Sequence, residues 1–308
     1  MSIGIVFSAF RPDLGLVETV VAARDGHEVI VVDDGSGHGY EHVWSSIEQS
    51  GARVLRLSEN VGIAAALNAG IRAVFDGGAT GAVTLDQDST IGAGFVRALE
   101  RAGDDARRRG EAVGVVVPEF FAGVSQVVRR RNGVLLARHS IQSGMLIPRE
   151  TADTVGLLRE DLFIDLVDTE FELRINARGL VAIAAPGLAL GHSLGRRYER
   201  RLLGRRVRLP GVPDAVTLST PFRYYYRVRN RVVINRLFAR SAPGWTLRDS
   251  LLETIHFANA LLLARPRRSL WALYRAGWRD GRRSRMGAMP ADLAVVAATI
   301  RWDAPALD

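Results

Sequence analysis

Two carboxylates, Asp86 and Asp88, stand one residue apart in the stretch Gly81 to Ser89 (GAVTLDQDS), directly after the short apolar run Ala82 to Leu85. In an extended or tightly turned backbone, side chains two apart point the same way, so both can converge on one hard cation or one hydroxylated ligand. Mg²⁺ and Mn²⁺ take oxygen ligands and are commonly held by one or two carboxylates plus substrate phosphate oxygens. An isolated Asp-x-Asp also has a plainer use, with Asp86 and Ser89 capping a helix that starts near Gly92.

A second acidic group lies in Phe163 to Arg174. If a helix begins near Asp165, then Asp165, Asp168 and Glu172 share a face by the three-and-four spacing, and Glu170 lies elsewhere. Asp165 as an N-cap with Asp168 at the third helical position accounts for the first residue more fully than the second, because Glu or Gln is the usual capping partner. The helix dipole keeps such carboxylates ionised, so a hydroxyl-activating base there needs burial or acidic neighbours. His192 follows the apolar run Val181 to Leu190 and precedes a loop with Arg196, Arg197, Arg200 and Arg201. An imidazole can complete a carboxylate metal site and arginines can clamp a diphosphate. A structural histidine and a solvated arginine loop are the bland alternatives.

The elements that must position these groups alternate as β-branched runs and helix-like segments, the pattern of a parallel sheet with crossover helices. Strands are expected at Ile3 to Phe7, Glu28 to Val32, Arg53 to Leu57, Ala82 to Leu85 and Ala112 to Val117. Helices are expected at Pro12 to Arg24, Tyr40 to Gln49, Ile63 to Phe75 and Gly94 to Arg109. Ligands of open sheets collect beyond the carboxyl ends of the strands. There the sequence places Ser8, Ala9, Phe10 and Arg11; then Asp33, Asp34, Gly35 and Ser36; then Glu59, Asn60, Val61 and Gly62; and finally Asp86, Gln87 and Asp88. For Asp33 and Asp34, turn capping and base or ribose binding weigh about evenly. No G-x-G-x-x-G follows the first strand and no G-x-x-x-x-G-K-[ST] is present, which disfavours a dinucleotide site and a Walker-type phosphate loop. Beyond Pro118, Ser125 to Arg138 reads as a hairpin turning at Asn132-Gly133, and Val181 to Leu190 as a returning strand.

The chain has 308 residues, 47% of them hydrophobic, enough for a substantial core. It lacks cysteine, so thiolate metal sites and disulfides are excluded. The net charge is +8, and every cation is arginine. That balance suits nucleic acid, anionic lipid or nucleoside diphosphate ligands. The opening IGIVFSAF lacks a signal-peptide pattern, and no apolar run nears the roughly 20 residues that span a bilayer.

These motifs together resemble the family 2 inverting glycosyltransferases of the GT-A fold, most closely the bacterial rhamnosyltransferase-like members. The resemblance runs from Ile3 to about Asn230 and rests on SAFRP, VVDDGS, NVGIAAALNAGI, LDQDS in the place of the family's D-x-D, SGMLI, FIDLVDTEFELR, GHSLG and TPFRYYYRVRN. It implies an α/β GT-A fold, a Rossmann-like and mostly parallel sheet flanked by helices. The expected division is a catalytic domain over 1–216, with a nucleotide-sugar half (1–118) and an acceptor half (119–216), then a helical extension over 217–308. By the resemblance, Ser8 to Phe10 and Asp34, with Asp33, hold the base. Asn60, Gly62, Asn68 and Gly70 shape the nucleotide pocket, and Asp86 meets ribose and metal. Asp88 and His192 are metal ligands, and Asp168 aligns with the catalytic Asp. Val167 replaces the family's usual Glu, which leaves Asp165 as a second carboxylate for the catalytic role.

The implied chemistry is inverting displacement at an anomeric carbon with Mg²⁺ or Mn²⁺, from dTDP-L-rhamnose or a UDP-sugar to a lipid-linked or glycan acceptor. From Thr217 on, apolar stripes alternate with Arg and Trp as in interfacial helices. Packing within the domain or against another subunit is the alternative. The expected location is cytoplasmic and peripheral on the inner face of the plasma membrane. A basic nucleic-acid-binding protein is the rival from another class, but no helix-turn-helix, finger or RNA-binding sheet motif accompanies the charge.

Overall fold

The first strand, IGIVFSA, is buried along its whole length, as a strand covered by helices on both faces must be. The computed structural model describes residues 2–191, 197–199, 201–202, 205–206 and 215–307. Contacts divide the chain into two compact units, 1–163 with 167–193, and 164–166 with 194–308.

In the first unit the strands are β1 (Ile3–Ala9), β2 (Glu28–Asp33), β3 (Arg53–Arg56), β4 (Gly81–Asp86), β5 (Val113–Phe121), β6 (Val124–Ser125), β7 (Val127–Arg131), β8 (Val134–Ala137), β9 (Met145–Pro148) and β10 (Val181–Leu190). They form one mixed sheet in the order β3-β2-β1-β4-β9-β5-β10-β8-β7, with β6 paired to β5. Pairing is parallel for β1 with β2 and β4, β2 with β3, and β5 with β10, whereas β9 runs antiparallel between β4 and β5. Helices α1 (Gly15–Ala23), α2 (Glu41–Gln49), α3 (Ile63–Asp76), α4 (Phe95–Arg108), α5 (Arg149–Val155) and α6 (Val167–Ala177) complete the unit. The expected helical sheet architecture is present, and so is the hairpin, whose Asn132 and Gly133 both take positive φ as a type I′ turn requires.

Two helix starts differ from expectation. Pro12 lies outside α1, which begins at Gly15. Asp165 and Leu166 have φ of 65° and 62°, so the chain is left-handed there and α6 begins only at Val167.

The second unit carries α7 (Arg223–Phe238), α8 (Pro243–Leu263), α9 (Arg267–Arg282) and α10 (Ala291–Ala298). No helix among the described residues is long and apolar enough to cross a membrane. Helices α7 and α9 approach closely through Gly277 and Gly281, where an added Cβ would lie 2.5 Å from the Tyr225 oxygen and 2.7 Å from the Arg229 oxygen. Beside this crossing, His256 stacks on Tyr224 with ring planes 3° apart. Arg227, always protonated, donates to its Nε2 over 3.0 Å. Burial first, then the Arg227 charge, lowers the His256 pKa to about 4.

Two predictions follow from this packing. Helix propensity alone favours Gly277→Ala by about 1 kcal/mol, but a backbone oxygen cannot rotate away, and overpacking costs about 1–3 kcal/mol. The variant therefore melts below the parent chain, and a higher melting temperature contradicts the close crossing. For His256 the folded state binds fewer protons than the unfolded state between pH 6.5 and about 4. Stability is thus present above pH 6.5 and lost as pH falls through that window. Melting temperature should fall less steeply with acidification in His256→Gln, and identical slopes would show the ring is not excluded from protonation.

Candidate active site at the carboxyl edge of the sheet

The parallel registers bring Ser8 opposite Asp86 and Ala9 opposite Asp33, so three strand ends finish at one level. Backbone bonds lock the loops that follow. Phe10 N donates to Gln87 Oε1 over 2.8 Å and Arg11 N to Ser36 Oγ over 2.7 Å, joining the loop after β1 to those after β4 and β2. Asp33 Oδ1 accepts from Ser36 N at 2.9 Å, the turn-capping role. Phe10 stays half exposed at this edge, with the Arg11 guanidinium 4.9 Å from its ring centre.

Asp34 has a different task. Its two oxygens accept from Val61 N (2.8 Å) and Gly62 N (3.1 Å), so one buried carboxylate organises the loop after β3. Burial raises its pKa, offset by those two amides, and neighbouring Asp33 raises it further. Gly62 takes φ of 93°, and a Cβ there would lie 2.5 Å from the Phe163 oxygen. Asn68 is buried and fully used. Its amide donates to Leu158 O and Glu160 Oε1, and its oxygen accepts from Leu158 N. Asn68 therefore holds the backbone beneath the edge, and Gly70 lets α3 lie against Val6. Asn60 Oδ1 is buried with no hydrogen-bond partner among the described residues.

The turn after β4 is the most constrained part of the edge. Asp86 is half-buried and Asp88 exposed, and Ser89 N closes the turn on Asp86 O at 3.1 Å. Gln142 Nε2 donates to Asp86 Oδ1. Ser143 Oγ accepts from Asp86 N at 3.0 Å and lies 2.7 Å from Ser89 Oγ. Thr84 Oγ1 donates to Gln142 O, and Gly144 N to Thr84 O. Gln87 and Asp88 also line a small cleft of about 190 Å³ with Pro12, Asp13 and Thr19.

Helix α6 reaches the same clamp from its other side. Glu172, one turn beyond Asp168, accepts from Ser140 N at 2.6 Å. A connected path thus links the first turns of α6, residues 140–143 and Asp86. Asp168 is half-buried in the first turn of α6, with Oδ1 accepting from Thr169 N at 2.7 Å. Glu170 is instead paired with Arg174, which also donates to Val155 O and Leu157 O. Burial raises the Glu170 pKa, with Arg174 opposing.

Asp165 belongs to the second unit. Its carboxylate receives Arg223 through Nε and Nη2, while Asn230 Nδ2 donates to Ile164 O and Asp165 O. Arg223 and Asn230 come from TPFRYYYRVRN, so that motif secures the left-handed turn at 164–166. Arg197 is exposed on a short strand, Arg197–Glu199, of the same unit. His192 and Arg196 lie outside the described residues.

Sequence reasoning passed over Gln142, Ser143 and Ser140 as individual residues. The signal was their position just before β9 in a polar IQSG within an apolar context, but the partner is 56 residues away in the chain.

Among the described residues no three His, Asp or Glu side chains gather as a metal cage. The donor chemistry nevertheless fits a hard divalent ion. Asp86 and Asp88 supply oxygens two residues apart, and the Gln142 bond to Asp86 is the kind of outer support that orients a ligating carboxylate.

Residues 14–131, which include Asp33, Asp34, Asn60, Asp86 and Asp88, match the model of the Glycosyl transferase family 2. That segment is similar to a family 2 glycosyltransferase domain. The chain is 28% identical over 250 residues to a dTDP-rhamnosyl transferase, RfbF, of Shigella flexneri, covering 75% of this chain and 79% of that protein. The chain also overlays residues 1–349 of S. aureus TarS in complex with UDP-GlcNAc, at 14% identity and a TM-score of 0.49 over 92% of each chain. The matched family segment ends before α6, so it contains the acidic turn and not Asp168.

If Asp34 organises the loop after β3, Asp34→Ala frees the Val61 and Gly62 amides. Their hydrogen exchange should accelerate at least about tenfold, the equivalent of about 1.4 kcal/mol of local protection. Unchanged exchange at both amides contradicts the assignment.

Proposed function

We propose that this chain is an inverting, metal-dependent family 2 glycosyltransferase that moves L-rhamnose from dTDP-L-rhamnose to a lipid-linked or polysaccharide acceptor in cell-envelope glycan synthesis. The observation that carries this reading is the turn Asp86-Gln87-Asp88, clamped by Gln142 and Ser143 at the carboxyl edge of β4 and contained in the matched family segment. The rhamnose assignment is supported by the likeness to a dTDP-rhamnosyl transferase.

The nucleoside end of the donor is assigned to Ser8, Ala9, Phe10, Arg11, Asp33, Asp34 and Asn60. The exposed Phe10 ring offers a stacking surface, and the unpartnered Asn60 Oδ1 is an acceptor for a base N–H or ribose hydroxyl. Gly62 and Asn68 fix the floor behind them. Asp86 and Asp88 are the oxygen donors for Mg²⁺ or Mn²⁺, with His192 as the third ligand taken from the sequence. Such an ion, when bound, neutralises charge developing on a departing diphosphate.

Asp168 is the general base. It takes the acceptor hydroxyl proton as that oxygen attacks the anomeric carbon from the face opposite the diphosphate. The new C–O bond forms as the bond to the diphosphate oxygen breaks, the centre inverts, and no covalent enzyme intermediate is needed. Asp168 is favoured over Asp165 because the Asp165 carboxylate is committed to Arg223. The exposed arginines and tryptophans of α9 supply contact with the cytoplasmic face of the plasma membrane.

The test pairs donor binding with turnover. With Mn²⁺ present, dTDP and dTDP-L-rhamnose should raise the melting temperature of both the parent chain and Asp168→Asn. Transfer of labelled rhamnose to a membrane extract should fall at least about 10³-fold in the variant. A stabilisation by UDP and not dTDP would move the donor to a UDP-sugar. Loss of donor binding in Asp168→Asn would show that the base has been misassigned.

A further inference from the structure

A second concavity lies within the C-terminal helices. It is an open groove of about 1210 Å³ between α8, α9 and the start of α10, more than the roughly 300–1,000 Å³ of ordinary small-molecule sites. Phe257 and Leu261 of α8 line it on one helix, Trp271 and Trp278 of α9 on another, and Leu293 of α10 also lines it. The charged groups that line it are Arg275, Arg279 and Asp292.

One exposed face of α9 carries Arg268, Trp271, Arg275, Trp278 and Arg282. Their spacing of three and four residues makes a single stripe in which cations and indoles alternate. Trp271 and Trp278 are 53% and 52% exposed, and the Arg282 guanidinium covers the Trp278 ring at 4.9 Å. Arg268 and Arg275 have no acidic partner among the described residues, whereas Arg279 is held by Asp280. From Arg265 to Arg285 there are eight arginines and one acidic residue, Asp280, which is buried. Helix α8 adds exposed Leu247, Leu251 and Ile255 at four-residue spacing.

Charge decides among the occupants that an apolar groove admits. A second copy joined by a two-fold axis brings the same patch onto itself, which would set the arginine stripe against its own like. A polyanion without apolar surface satisfies the arginines and leaves the groove walls wet. A long hydrocarbon chain ending in a phosphate satisfies both, burying its chain between α8 and α9 and meeting arginine at its head.

We propose that this groove binds a single phosphorylated lipid, its chain along Phe257, Leu261, Trp271 and Trp278 and its phosphate at Arg275 and Arg279. The site is argued from the helical unit alone. Its identity as the place where a lipid-linked acceptor is held rests on the sugar-transfer reading.

The probe is dodecyl phosphate, titrated into the full chain below its micelle concentration by calorimetry and tryptophan fluorescence. The expected result is saturable one-to-one binding, with dodecanol and dodecyltrimethylammonium at least tenfold weaker and inorganic phosphate alone without effect. Ala272→Glu, which puts a carboxylate into the groove wall, and Arg275→Glu should each weaken binding tenfold or more. Their melting temperatures and nucleoside diphosphate binding should be unchanged. The proposal is overturned by absence of saturation, by equal affinity for the cationic amphiphile, or by insensitivity to Ala272→Glu. It is also overturned by a dimer that Ala272→Glu dissociates, or by phosphatidylglycerol vesicle binding without uptake of dodecyl phosphate. Loss of nucleotide binding with lipid binding intact counts against sugar transfer and leaves the groove assignment standing.

Discussion

A carboxylate at the end of a buried parallel strand is useful only if it is held in place without being neutralised. Part of that holding is done here by neutral groups. Gln142 and Ser143 fix Asp86 and its turn through an amide and a hydroxyl. Topology makes this possible. Because β9 runs antiparallel beside β4, with Met145 opposite Thr84, the chain enters β9 at the carboxyl end of β4. Residues 140–144 are therefore delivered to Asp86 by the sheet itself. A parallel neighbour in that position would deliver its own strand end, and the loop before it would emerge at the opposite edge.

The other polar groups at this edge divide by what their oxygens already do. Asp33 closes a turn, Asp34 carries the Val61 and Gly62 amides, and Asn68 spends every polar atom on 158–160. These residues build a rigid floor for the edge. The same division separates the acidic residues around α6. Glu170 is tied to Arg174, Asp165 to Arg223, and Glu172 to the backbone at Ser140. Each of these three has a structural partner, and the proposed mechanism puts the proton-accepting role on Asp168.

Much of the fold was legible because its signals are local. Apolar β-branched runs gave β1, β2, β4 and β5 to within a few residues, Val181–Leu190 is the strand expected, and Asn132-Gly133 turns the hairpin. The start of α6 was not legible, since two successive non-glycine residues in the left-handed region contradict local preference. Asn230 and Arg223 hold them there across more than 50 residues of chain. Gln142 escaped for the same reason. An amide in a polar tetrapeptide has no meaning until the sheet sets it beside Asp86. For Asp33 and Asp34, spacing left capping and binding evenly matched. In the structure both carboxylates hold loops, beside the exposed Phe10 ring and the buried Asn60 oxygen.

The most direct measurement is anomalous X-ray scattering at the manganese edge from crystals of the chain grown with dTDP and Mn²⁺. The account predicts one manganese peak shared by the Asp86 and Asp88 carboxylates and the diphosphate, and its loss in Asp88→Asn. Manganese bound elsewhere, or dTDP seated at this edge with both carboxylates turned away from it, would contradict the account.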